Sequence, residues 1–418
     1  MPNILDYLTW RGDVPFSVSP PNEVDNYIHC KIGTLDFTGI VPENELYVPL
    51  PQAVEAYFAA GGAEKLGALS SPYIAPMVKR LPETVRFREV MLTGFRQVYD
   101  EKKTEQFSAL TLRLPGGQHY VTFRGTDDTI VGWKEDCLLT VMDEIPAQRD
   151  AVEYLTWAAS VYPGKIAVGG HSKGGNLAVY SAMKCAPFVQ KRIQKIYSLD
   201  GPGFRPEMLK ECHYNAIEGK VVKLLPHSSM IGMIFERDIH YRVVESNSHG
   251  LLQHDPFSWL VEEDHFVDVG DIYESQKIMN EALNEWILSL NEEQVRTFVE
   301  TLYQVISASQ ADDLITFTAD WKKSMNAVVT ALKEVDDQTA EMLRGIIRSL
   351  FEIAKVKVRE ELAPAKKPGR RFRNKKKEEK AEAHRPVPED APDATAAQGS
   401  AARHAPKLRG SRHRGSAE

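Results

Sequence analysis

An α/β fold, with a mostly parallel sheet flanked by helices, is the architecture that three features of the sequence predict. Alternating, β-branched and aromatic-rich stretches occupy 90–124; after 140, helical spacing and short apolar runs take turns; beyond about 268 the strand signal stops and only helical spacing remains. Short apolar runs separated by helices are what a sheet covered on both faces requires.

Residues 1 to about 85 mix short helical patterns with Pro, Asn and Gly punctuation, as in SPPNEVDNY and TGIVPENE, and read as a mostly helical lead-in. Candidate strands follow at 90–98, 107–114 and 119–123, parted by charged or Pro-Gly-Gly turns. A helix at 147–160, the strand Ile166 to Val168, a helix at 174–185 and the strand Ile193 to Leu199 then set a βαβ rhythm. Val221 to Leu225 and Tyr241 to Val244 supply two further strands.

Apolar residues next recur at helical spacing: Leu283, Trp286, Ile287 and Leu290, then Val295, Phe298, Val299, Leu302 and Ile306, with Asn291 and Gln294 resembling a capping box between the two helices. Met325, Val328, Val329 and Leu332, and Met342, Leu343, Ile346, Ile347 and Leu350, form two more stripes. After Leu362 the composition falls to Ala, Pro, Gly and charge, with no periodic apolar face to offset the entropy of ordering. The expected organisation is a folded α/β domain over 1–267, a helical region over 268–362 and a disordered basic tail over 363–418.

The formal charge of −7 conceals a segregation: the tail carries 15 Lys and Arg against 7 Asp and Glu, and the preceding residues are correspondingly acidic. An acidic body disfavours a nucleic-acid surface, which needs a concentrated positive field, so no specific nucleic acid is expected as a partner. The run Arg370, Arg371, Arg373, Lys375, Lys376 and Lys377 could touch anionic membrane peripherally, or could be a solvated end with no partner. The first residues lack a basic segment followed by an apolar run, and the four cysteines form no CxxC pair, so neither a zinc knuckle nor a disulfide framework is indicated. A cytoplasmic location is the expectation. Composition says nothing of oligomeric state.

The sharpest motif is VGGHSKGGN, in which Gly170, Ser172 and Gly174 form G-x-S-x-G between an expected strand and an expected helix. A serine on so tight a turn needs tiny neighbours two positions either side, and the helix that starts there aims backbone donors at the nucleophile. The pattern predicts an α/β-hydrolase-type domain with Ser172 as nucleophile and the Lys173 amide as one oxyanion donor. No cofactor or metal enters such chemistry.

A second motif, VTFRGTDDTIVGWKED, runs from a strand into Arg124-Gly125-Thr126 and a polar turn with Trp133 isolated among charges. FRGT followed by a tryptophan-bearing segment, with GHSKGG further on, resembles the fungal-type triacylglycerol lipases (lipase class 3), and more closely a bacterial branch, the Mbeg1-like proteins, over roughly residues 1 to 262. The resemblance implies that Thr126 donates to the oxyanion and that Asp127 to Asp136, with Trp133, form a movable lid over an acyl pocket.

The order Ser, acid, His in this fold puts the base after Ser172, where His249 and His254 both qualify. QHDPFSW resembles the histidine-aromatic segment of class 3 lipases and favours His254, while His227 matches a family proline-histidine pair that is not the base. The family's acid position is Lys223 here, so the usual aspartate is missing. Asp200, ending the strand Ile193 to Leu199, is the expected acid; Asp255, next to His254, is the alternative. The expected function is hydrolysis of a lipid-like or small acyl ester through an acyl-serine. A thioesterase, an acyltransferase and a non-catalytic scaffold are the competing readings.

Overall fold

Eight strands lie side by side in chain order: β1 (Val48–Pro49), β2 (Met91–Asp100), β3 (Glu105–Arg113), β4 (His119–Phe123), β5 (Ile166–His171), β6 (Ile193–Leu199), β7 (Val221–Pro226) and β8 (Tyr241–Val244). The computed structural model describes residues 2–66, 70–127, 129–211, 214–236 and 240–308, with isolated positions at 341, 344, 345 and 348. The two last apolar stripes and the basic tail lie outside the described residues.

The sheet is mixed. Neighbours from β1 to β4 are antiparallel, and neighbours from β4 to β8 are parallel. From β2 onward turn length decides this: residues 101–104 and 114–118 can only reverse the chain, whereas the segments after β4 and β5 are long enough to carry crossover helices. Strands β4, β6 and β8 have the expected bounds, and β5 runs three residues past Val168, because Gly169 and Gly170 carry no side-chain signal for a strand.

Parallel strands laid down in chain order by right-handed crossovers send every crossover to the same face. Accordingly α5 (Ile130–Leu138), α6 (Pro146–Val161), α7 (Lys173–Lys184), α8 (Pro187–Arg192) and α9 (Pro206–Glu211) follow β4, β5 and β6, and their buried residues join Val121, Phe123, Ile166, Val168 and Ile196 in one core. The opposite face, with Tyr120, Ala167, Leu199, Leu224 and Val244, is covered by the lead-in helices α1 (Ile4–Arg11), α2 (Glu23–Ile32), α3 (Leu50–Ala59) and α4 (Ile74–Arg80).

The lead-in is also pinned by charge. Arg86 and Asp25 are both fully buried, with Arg86 Nε 2.7 Å from Asp25 Oδ1; Tyr7 donates to the same oxygen at 2.7 Å, and Arg86 Nη1 reaches the carbonyls of Val14 and Ser19. A buried guanidinium stripped of these acceptors would cost several kcal/mol, so the loop between α1 and α2 must wrap around it.

At the other end, α10 (Glu274–Ser289) and α11 (Glu292–Ala308) follow one another across a two-residue corner. The corner carries the expected capping box: Asn291 accepts from the Gln294 amide at 2.9 Å, and Gln294 accepts from the Asn291 amide at 3.0 Å. Leu283, Trp286, Ile287, Leu290 and Phe298 pack with Ile234 and Phe235 in the segment after β7, and Lys134 of α5 pairs with Glu300 of α11 at 2.8 Å.

His29 of α2 is a pH-sensitive point in the core beneath the sheet. It is fully buried between the rings of Phe16, Phe87 and Tyr120, neither ring nitrogen has a hydrogen-bond partner, and burial, helped by Arg86, pushes its pKa down to about 3. A histidine held neutral in the folded state favours folding fully above its ordinary value of 6.5, and that contribution is lost as pH falls towards 3. Urea titrations at pH 7 and 4.5 should show the native chain losing stability from this group at about 1.4 kcal/mol per pH unit. His29→Leu should lose correspondingly less.

Candidate active site

Ser172 occupies a backbone conformation that L-residues rarely adopt, φ +59° and ψ −131°, between the end of β5 and the first turn of α7. Crowding enforces it. A Cβ on Gly170 would stand 2.2 Å from the Gly174 carbonyl, and a Cβ on Gly174 would stand 2.2 Å from the Phe123 carbonyl. The strand, the turn and the helix therefore touch backbone to backbone, and Ser172 is the position where the chain reverses.

The Arg124-Gly125-Thr126 turn at the end of β4 meets this elbow directly. A Cβ on Gly125 would lie 2.8 Å from the His171 carbonyl and 3.4 Å from Ser172 Cβ. Thr126, one residue further, donates its hydroxyl to Asp136 Oδ2 in α5. A hydroxyl has one proton, so in this arrangement that of Thr126 is spent on Asp136. The other Asp136 oxygen is buried without a hydrogen-bond partner, and burial pushes that carboxyl up to about 6 against the pull of Lys173 and the Thr126 hydrogen bond.

Asp200 and His254 come together from different elements. Asp200 follows β6, is 1 % exposed and has φ +49°; its Oδ2 lies 2.6 Å from His254 Nδ1 and its Oδ1 accepts from Ser229 Oγ at 2.5 Å. The His254 side chain is 26 % exposed, and its ring lies 4.6 Å, centroid to centroid, from that of His171, the residue before Ser172. His171 Nε2 stands 2.7 Å from the His254 carbonyl oxygen. His171 is held neutral, its pKa well below 6.5, by burial and by the charge of Lys31, so Nε2 is the natural donor in this pair.

The other sequence candidates lie elsewhere or do other work. His249 is exposed at the start of the short helical turn Gly250–His254, and His227 is held by Gln253 at 2.8 Å with its ring against Tyr273. Asp255 Oδ1 accepts from the Phe257 amide at 3.1 Å, capping the next turn. Lys223, in the position where an acid was sought, is buried and paired with Glu236. Of the segment Asp127 to Asp136, Asp128 is outside the described residues; Trp133 is half-buried on α5.

Sequence reasoning left unassigned the side chain of Lys173 and its partner Glu135, both buried to within 1 %. A lysine followed by two glycines at the start of a helix reads as solvated; the signal against that reading is the crowding of the glycines themselves, which presses the next side chain inward. Among the described residues no cluster of three or more His, Cys, Asp or Glu is arranged to hold a metal ion, and no helix is long and apolar enough to cross a membrane.

A serine strained into a strand-to-helix turn of a β-sheet whose crossovers share one face, beside an Asp–His pair from later strands, defines a lipase-like α/β-hydrolase fold. Residues 81–304, more than half of the chain, match the Mbeg1-like family, and the chain belongs to it. No curated protein matches the chain. Among solved structures it is similar to M37 lipase, with 14 % identity over 44 % of this chain and 69 % of that one at a TM-score of 0.31. It is also similar to the Rhizomucor miehei lipase propeptide complex, with 13 % identity over 38 % of this chain and 57 % of that one at a TM-score of 0.28.

The elbow makes a prediction about stability. Positive φ at a serine costs of order 1–3 kcal/mol, and glycine relieves it. Ser172→Gly should therefore unfold at a higher temperature than Ser172→Ala, by the equivalent of about 1 kcal/mol in thermal denaturation. Equal melting temperatures would mean that the turn stores no strain.

Proposed function

We propose that the chain is a serine hydrolase of carboxylic esters, with Ser172 as nucleophile, His254 as general base and Asp200 as the acid that orients it. The observation that carries this reading is the 2.6 Å Asp200–His254 pair, whose imidazole lies against His171, the residue before the strained Ser172. With Nδ1 given to Asp200, Nε2 of His254 is free to take the Ser172 proton as Oγ attacks the ester carbonyl. The amides of Thr126 and Lys173 receive the oxyanion. The alcohol departs with the proton held on His254, leaving an acyl-serine. Water, deprotonated by His254, then attacks the acyl carbon, the acyl–Oγ bond breaks, and the proton on His254 passes to Ser172 Oγ as the acid leaves.

A lipid-like acyl ester is the substrate class favoured by the likeness of FRGT and GHSKGG to class 3 lipases, and Leu252, two residues before His254, is an exposed apolar side chain in keeping with it.

A fluorophosphonate probe should label Ser172, and Ser172→Ala should abolish labelling. On a p-nitrophenyl ester, Asp200→Asn should lower turnover at least about a hundredfold with the fold intact by circular dichroism, because the imidazole loses orientation and charge support. Asp255→Asn should do much less. Persistent labelling of the Ser172→Ala protein, or the reverse order of the two aspartate variants, would overturn the assignment.

A further inference from the structure

Lysine is an expensive residue at position 173. Its ammonium is 1 % exposed, it begins a helix whose positive end disfavours it, and a desolvated charge costs several kcal/mol unless fully partnered. It is fully partnered: Nζ donates to the Gln106 carbonyl at 2.9 Å, to Gln106 Oε1 at 2.7 Å and to Glu135 Oε2 at 2.9 Å, which spends all three of its protons. Glu135 is equally committed, accepting from the Gln106 amide at 3.0 Å through Oε2 and from the Ala147 amide at 3.0 Å through Oε1. One buried ion pair thus binds α7 to β3, α5 and α6.

The pair also reaches the oxyanion side of Ser172. Asp136, next to Glu135 on α5, holds the Thr126 hydroxyl, and its free oxygen lies 3.9 Å from Lys173 Nζ. Where α5 sits therefore decides where Thr126 sits.

We propose that the side chain of Lys173 is a positioning residue: through Glu135 it locks α5 to the nucleophile helix, so that α5 is a fixed wall holding Thr126 in place, and not the moving lid that the sequence suggested. The catalytic part of this inference rests on the serine-hydrolase reading above; the mechanical part does not. A fixed wall needs no lipid interface to open it.

The test uses the full chain, Lys173→Met, and the double variant Lys173→Met with Glu135→Gln, which removes both charges while keeping an acceptor for the Ala147 amide. Three readouts are taken: melting temperature, hydrogen exchange of the amides of 130–138, and kcat and KM on p-nitrophenyl butyrate. In the native chain α5 should exchange as slowly as α7, and the rate should rise smoothly with butyrate ester concentration through its solubility limit. Lys173→Met should unfold more readily, since Glu135 is left buried and unpaired. The double variant should recover most of the melting temperature, yet exchange at 130–138 at least tenfold faster and lose at least tenfold in kcat with KM within twofold.

A merely structural ion pair predicts otherwise: recovery of stability would bring back kcat and slow exchange together, and that outcome overturns the proposal. Fast exchange of α5 in the native chain, or a jump in its rate at the solubility limit, overturns it too. If the native chain neither hydrolyses the ester nor takes the fluorophosphonate, the hydrolase reading fails instead, and the exchange data still decide whether Lys173 holds α5.

Discussion

The close backbone contact at the end of β5 is the constraint on which the rest of the site depends. Phe123 at the end of β4, Gly170 on β5 and Gly174 on α7 approach so tightly that side chains are excluded at both glycines. Three consequences follow from that one contact. Ser172 is forced to positive φ, the first turn of α7 begins directly behind it, and the Arg124–Thr126 turn is laid against it. A looser junction would let the serine relax into an ordinary turn, and nothing further along the chain could restore the geometry.

Topology determines what can be brought to that point. With β4 to β8 parallel and in order, the strand ends that follow β5 all open on the same edge of the sheet. Asp200 leaves the end of β6, and the segment holding His254 comes after β8, so both reach the elbow without any strand crossing another. The end of β7 contributes differently: Lys223 is turned to a buried pair with Glu236, while Ser229 just beyond β7 steadies the far oxygen of Asp200. Because Asp200, at the end of β6, is the carboxylate that meets His254, that contact does not draw on β7, and Lys223 there is balanced by Glu236.

The expectations from sequence divide along physical lines. The strands from β2 to β8 and the α10–α11 corner were legible because periodicity and capping chemistry are local, and the G-x-S-x-G turn was legible because steric crowding leaves only one residue type possible; β1, two residues within the lead-in, is too short to carry a period and was not. The mixed character of the sheet was less so: the turns at 101–104 and 114–118 announce reversal, but a sheet of mostly parallel strands was the simpler reading of the whole. The two residues Glu135 and Asp136 illustrate the sharper limit. In WKED they read as part of a polar, lid-like segment, yet one is fully buried under Lys173 and the other holds Thr126, because burial of a charge is decided by what packs over it from β3, α6 and α7, which no window of sequence contains.

That limit explains a pattern in the interior. Among the described residues three buried ion pairs, Asp25–Arg86, Glu135–Lys173 and Lys223–Glu236, each join segments separated in the chain. Apolar side chains of the same volume could hold the same elements with equal or greater stability, since the desolvation of both charges offsets most of their attraction. What apolar packing cannot do is fix one position along an element, because an apolar face tolerates sliding whereas a charge held by directional hydrogen bonds does not. The three pairs sit where a slide would matter: between the lead-in helices and the sheet face they cover, between α5 and the elbow, and between β7 and the segment that carries Ser229 to Asp200. The charges are best understood as setting register around the site, with the two apolar cores supplying the stability that makes the register worth setting.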